Sequence, residues 1–205
     1  MNWRIITRYI GSTLMLLAIL MAISSIIAYF TPGDGSWMIL LYSTLLTAST
    51  GIFPLLFVRR SNHKLNFKEG NFIVVSAWVA ACLFGMLPFL LYGEEFTPIN
   101  ALFESVSGFT TTGASILTDI ENMPRGIQFW RISTAWVGGI GIVTLFSMIM
   151  AGNMNKSTLS SAEISEIART SYSTDRKASF TQRMLITYVT LTITTLFALK
   201  LTGIA

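Results

Sequence analysis

From residue 10 to residue 30 the chain runs for 21 residues without a charge, and that run decides which solvent the fold must suit. At 1.5 Å per residue, a helix of this length covers about 30 Å, the thickness of a bilayer's hydrocarbon core. Further apolar runs occupy residues 37–58, 72–92 and 127–150, and another begins at Met184. Backbone surrounded by hydrocarbon must satisfy its own hydrogen bonds, so each run is expected to be an α-helix. The expected fold is an all-α polytopic membrane protein with about five transmembrane helices plus one re-entrant pore helix and filter loop. The first run reads as a retained span. It is longer than the apolar part of a secretory signal, and it ends in Tyr29-Phe30-Thr31-Pro32 rather than at a small-x-small cleavage site.

The re-entrant element is residues 97–115, TPINALFESVSGFTTTGAS. It lies between apolar runs but is too short and too polar to cross, so it must enter and turn back. Thr97 followed by Pro98 predicts a helix start, because proline in the first turn lacks only an N–H that would have had no partner. The helix is expected to end near Gly108. About 11 residues make roughly 16 Å, so its C-terminus, with negative partial charge, stops near mid-membrane and favours a cation. Thr110, Thr111 and Thr112 favour extended backbone, and Gly113 permits a positive φ that can turn a carbonyl inward. Non-helical backbone at this depth survives where it lines a cavity, and a row of carbonyls can replace an ion's water.

Charge sets the orientation. With the N-terminus inside, Arg4, Arg8, Arg59, Arg60, Lys64, Lys68, Lys156, Arg169, Arg176, Lys177 and Arg183 are cytoplasmic, leaving only Arg125, Arg131 and Lys200 of the 14 basic residues outside or at the outer interface. The re-entrant segment then enters from outside, where Asp34, Glu94, Glu95, Asp119 and Glu121 attract cations. Arg131 is expected to snorkel to the outer interface. The basic residues form no continuous stripe, so the net charge of +4 reflects topology and does not point to nucleic acid.

Other chemistry finds little support. The sole histidine, His63, lies in a basic loop, and no span pairs a serine with a base or brings two carboxylates together, so no enzyme is expected. Cys82, inside an apolar run, reads as a small core residue. Glu104 is the one acid of the pore helix; it is expected to brace the loop by accepting backbone N–H bonds, since a free carboxylate there would be costly to desolvate. Gly138, Gly139 and Gly141 suit close helix packing, with a gating hinge as the alternative.

ALFESVSGFTTTGAS followed by FWRISTAWVGGIGIV resembles the first pore unit of the Trk/Ktr/HKT family of potassium transporters, in its Trk-type membrane subunit. The resemblance is specific over residues 101–143. In that family one chain carries four helix–pore-loop–helix units around a pore, preceded in Trk-type members by an extra helix pair. The polar, Ser- and Thr-rich residues 153–183 read by themselves as a cytosolic connection with one short helix around 162–169; the resemblance implies a helix pair at 1–70, a first unit at 71–152 and the start of a second, truncated unit at 184–205. It further implies potassium uptake through a selectivity filter in which Thr110, Thr111, Thr112 and Gly113 form one quarter. K⁺ would sit at Thr111, Thr112 and neighbouring carbonyls, supported by Glu104 and Gly108. K⁺ is then cargo, and no cofactor is implied. Implied partners are membrane lipid, a cytosolic nucleotide-binding regulatory subunit (TrkA-like) facing residues 59–68 and 153–183, and a second copy in a homodimer of the full-length form. The implied location is the inner membrane, with a cytoplasmic N-terminus. One filter strand cannot enclose an ion, so the chain is expected to be a fragment of a longer transporter. A non-conducting membrane assembly or scaffold piece, or a Na⁺-permeable relative, would share these features.

Overall fold

The computed structural model describes residues 3–58, 67–93, 96–157 and 166–202, with the side chains of 67, 68 and 142–181 left out. The described residues form seven helices: α1 (Trp3–Phe30), α2 (Trp37–Phe57), α3 (Phe67–Gly85), α4 (Leu87–Tyr92), α5 (Pro98–Phe109), α6 (Arg125–Ser157) and α7 (Glu166–Leu201). No strand occurs among them. Four helical stretches are long and apolar enough to cross a membrane: Trp3–Phe30, Trp37–Phe57, Glu69–Tyr92 and Gln182–Leu201. The run at 127–150 lies within α6. Part of the basic loop, residues 59–66, falls outside the described residues, as do Glu94, Glu95, residues 158–165 of the polar connection and the last three residues.

The chain divides into two compact units, Met1–Gly139 and Ile140–Ala205. In the first, α1 and α2 pair through a seam that mixes large apolar with small and hydroxyl residues. Leu14, Leu17, Ala18, Met21, Ser25 and Ala28 are buried on α1, and Leu40, Ser43, Thr47 and Gly51 on α2, steps of three and four that place each set on one helical face. Gly11 and Gly51 bring the backbones together: a Cβ on Gly11 would stand 2.8 Å from the Gly51 carbonyl oxygen. Large apolar side chains such as Ile19, Ile26, Leu45 and Phe53 point outward. That distribution, with small and hydroxyl residues admitted to the seam and large apolar side chains also facing outward, suits helices whose solvent is lipid. At the open end of the pair, the Arg8 guanidinium donates to the carbonyls of Leu55 and Val58, which end α2 without intrahelical partners.

α3 gives way to α4 between Gly85 and Leu87, next to Pro88. A proline at 88 offers no N–H to the preceding turn, and at the break the buried Trp130 indole N–H donates to the Gly85 carbonyl at 3.0 Å. Trp130, Phe89, Phe96, Ala101, Phe109, Met123 and Ile127 form the core beneath the re-entrant element. α6 begins at Arg125, directly after Pro124. Asp34, in the α1–α2 turn, caps that start. Its Oδ2 accepts the Gly126 N–H at 2.8 Å while Oδ1 takes the Ser36 N–H and hydroxyl, so a carboxylate covers the positive end of the helix.

In the second unit, α7 starts at Glu166, well before the apolar run at Met184. Residues 166–201 contain neither Gly nor Pro, and nothing in that stretch stops a helix from extending into its polar half. Where α7 is threonine-rich, the hydroxyls of Thr187, Thr190, Thr194 and Thr195 donate to carbonyls four residues back. They therefore need no water.

Candidate ion-binding site

The re-entrant element begins as its sequence dictates. Thr97 is extended, with φ −60° and ψ 162°, and its hydroxyl oxygen accepts the Asn100 N–H, while Pro98 opens α5. Twelve residues give α5 about 18 Å, more than half of a hydrocarbon core. It ends one residue beyond the glycine expected to end it, at Phe109. Gly108 is there for contact: a Cβ at that position would overlap the Thr134 hydroxyl of α6. Gly138 lies against the Phe109 carbonyl just as closely, so the C-terminal turn of α5 is seated on α6, backbone on backbone at Gly138 and on the Thr134 side chain at Gly108. Gly139 and Gly141 lie further along α6, half-buried.

The loop departs from the extended form its threonines predict. The Thr112 N–H donates to the Ser107 carbonyl at 3.0 Å and the Thr111 N–H to that of Gly108 at 2.9 Å, with Thr111 at φ +56°. This is a Schellman cap with threonine at the left-handed position that glycine usually takes. A β-branched residue is a rare occupant there, at a cost of about 1–3 kcal/mol. The Thr110 hydroxyl donates to the Val106 carbonyl at 2.8 Å, and Thr112 reaches Thr110 hydroxyl to hydroxyl at 2.8 Å, so side-chain bonds brace the turn around Thr111. Gly113 follows at φ +73°.

These bonds fix the carbonyls. In a trans peptide the C=O points opposite to the next residue's N–H. With the N–H groups of Thr111 and Thr112 turned back onto α5, the carbonyls of Thr110 and Thr111 point away from it. Ser107, Gly108 and Ala114 each have a carbonyl that accepts a hydrogen bond within the element. Those of Thr110, Thr111, Thr112 and Gly113 do not do so among the described residues. Residues 110–114 are exposed on the unit, leaving those oxygens free to meet a ligand.

Beyond the loop the chain is tied down by charge. Glu104 is 2% exposed. Its carboxylate accepts the Ser115 hydroxyl at 3.1 Å, the Ile116 N–H at 3.4 Å and the Arg131 Nε–H at 2.5 Å. Arg131 therefore does not snorkel to the interface as its position in the sequence suggests: it turns inward, its side chain 22% exposed, because a buried carboxylate needs a counter-charge. Ser105 adds a hydroxyl bond of 2.8 Å to the Cys82 carbonyl on α3. One helix, α5, thus holds the loop, α3 and α6 by polar contacts. Sequence reasoning missed Arg131 and Asp34 in these roles, since their partners are 27 and 92 residues away.

The family profile of TrkH, described as a cation transport protein, matches residues 41–203. The chain is 33% identical over 208 residues to the Trk system potassium uptake protein TrkH of Halomonas elongata and 31% identical over 210 residues to that of Vibrio parahaemolyticus, covering 99% of itself and 42% of each relative. Its fold is similar to the crystal structure of the potassium transporter TrkH from Vibrio parahaemolyticus, with a TM-score of 0.79, 27% identity, and coverage of 100% of this chain and 41% of that one. The chain thus spans less than half the length of the curated relatives it matches.

Proposed function

The chain belongs to the TrkH family of cation transport proteins and is a multi-pass membrane protein, and from that premise we propose that it forms part of a potassium-uptake pore. Its contribution is one filter strand, the carbonyls of Thr110, Thr111, Thr112 and Gly113, acting on partly dehydrated K⁺ once three equivalent strands complete the ring. One observation carries this reading: the Schellman hydrogen bonds at Thr111 and Thr112 turn successive carbonyls off the end of α5 and leave them exposed. Such oxygens replace water around a cation. The negative end of α5 lies behind them.

Two features of the surroundings support the same use. Glu104 has its charge compensated by Arg131 and its oxygens engaged with Ser115 and Ile116, so it holds the strand and does not compete for the ion. The seating of Gly108 on the Thr134 side chain and of Gly138 on the Phe109 backbone joins the loop closely to α6. The distribution of basic residues supports an N-terminus in the cytoplasm and the loop on the outer side. A cytosolic nucleotide-binding regulatory subunit would then face residues 59–68 and 153–183, with the inner membrane as the location and a homodimer as the full-length form.

The test is potassium-dependent growth of uptake-deficient cells expressing the full-length, four-unit protein. Growth at low external K⁺ is the expected result. Failure to grow, with the protein folded and in the membrane, would contradict the reading and favour a non-conducting membrane piece.

A further inference from the structure

We propose that Ser107, an α5 residue that does not itself coordinate the ion, sets where the coordinating row ends by holding the Ala114 carbonyl out of it. This deepens the filter reading above and rests on it. Ser107 is 6% exposed, and its hydroxyl donates to the Ala114 carbonyl at 2.6 Å. Its own carbonyl accepts the Thr112 N–H at 3.0 Å. One residue therefore grips the loop twice, by main chain before Gly113 and by side chain after it, with Gly113 held between at φ +73°.

The two grips act differently. The main-chain bond turns the Thr111 carbonyl outward, because carbonyl and N–H of one trans peptide point in opposite directions. The side-chain bond turns the Ala114 carbonyl inward onto α5. Two residues on, the Ile116 N–H also faces α5, on Glu104, as alternation along extended chain requires. The row available to a cation is thereby cut off after Gly113. Glycine can rotate through more of φ/ψ space than any other residue; the paired bonds to Ser107 restrict the peptide that carries its carbonyl. Without the hydroxyl, the Ala114 carbonyl loses its donor, the Ala114–Ser115 peptide can swing, and the neighbouring Gly113–Ala114 peptide loses its anchor on that side. A row of variable length and orientation discriminates less between ions of different size.

The experiment compares Ser107→Ala and Ser107→Thr in the full-length protein by K⁺ and Na⁺ uptake, with thermal stability measured alongside. Ser107→Ala is expected to lower the preference for K⁺ over Na⁺ at least fivefold while K⁺ uptake persists, and Ser107→Thr, which keeps the hydroxyl, to retain it. A loss of stability with unchanged preference would make Ser107 a packing residue and overturn the proposal. A second measurement needs no folded variant: infrared spectra of otherwise unaltered protein carrying a ¹³C=¹⁸O label at Gly113 or at Ala114. Exchange of Na⁺ for K⁺ is expected to shift the Gly113 band and leave the Ala114 band in place. A shift at Ala114 would overturn the role of Ser107, whereas no shift at either site would overturn the filter reading itself.

Discussion

The α1–α2 pair and the re-entrant α5 with its loop both lie in one compact unit, yet they are held by opposite means. The pair closes by packing: Gly11 against Gly51, with Ala18, Ala28 and Ser43 set among Leu14, Leu17, Met21 and Leu40 in the same seam. Of the four buried hydroxyls on the two helices, Ser24 on Leu20 and Ser43 on Ile39 bond within their own helix, while Ser25 reaches the Trp37 carbonyl and Thr47 the Met21 sulfur. Around α5 the buried polar groups cross between elements. Glu104 joins Ser115, Ile116 and Arg131; Ser105 joins Cys82; Ser107 joins Ala114; Trp130 joins Gly85. Close packing tolerates small displacements, since dispersion falls off gradually over many contacts. A crossed polar network does not, because each lost bond leaves a buried group without a partner. The molecule places the second kind of fastening where backbone must be held in a geometry that its own sequence does not favour.

Glu104→Ala breaks the comparison most forcefully. It leaves Arg131 without its counter-charge and Ile116 without its acceptor, and loss of one member of a buried ion pair costs about 3–5 kcal/mol. Arg131 keeps some exposure, which places the expected value toward the lower end. Thermal unfolding of the full-length protein should show the loss, together with weakened preference for K⁺. Gly11→Leu attacks the other kind of contact. A side chain there meets the Gly51 carbonyl, and overpacking of this sort costs about 1–3 kcal/mol. Stability should fall while ion preference stays near that of the parent; a change of preference equal to that of Glu104→Ala would erase the distinction between the two regions. Thr111→Gly gives the smallest effect and the opposite sign. It removes a Cβ from a left-handed residue, so the protein should unfold at a higher temperature, by about 1 kcal/mol of added stability. A lower unfolding temperature would mean that the threonine side chain holds the turn by more than its backbone shape.

The two regions also differ in how far they can be read from sequence. The α1–α2 pair is legible because its cause is local: charge-free runs of spanning length, a Pro-Gly-Asp-Gly turn, and small residues at helical spacing. The start of α5 is legible for the same reason, since Thr97 and Pro98 act within one turn. What escapes is long-range or runs against propensity. Arg131 near the start of an apolar run has the look of an interfacial residue until Glu104 is brought beside it. Asp34 reads as surface charge because Gly126 is 92 positions away. Thr111 belongs by preference in extended chain, but the carbonyls of Ser107 and Gly108 at the end of α5 and the hydroxyl bridge from Thr110 to Thr112 hold it left-handed. Gly113, where residue type and required backbone agree, is the part of the loop that the sequence announces.

Gly113 also offers the most direct test of the central claim, that the ligands are backbone carbonyls. No heavy atom of this chain lies within 4 Å of where its Cβ would stand, so within the chain Gly113→Ser acts through its backbone conformation, with a strain of about 1 kcal/mol or more at φ +73°. Thr111→Val keeps the β-branched shape and removes only a hydroxyl. Uptake of K⁺ and Na⁺ by the full-length, four-unit protein bearing each change gives the answer. Loss of K⁺ preference in Gly113→Ser, with little change in Thr111→Val, is the predicted result; unchanged preference in the former with its loss in the latter would show that side-chain hydroxyls bind the ion.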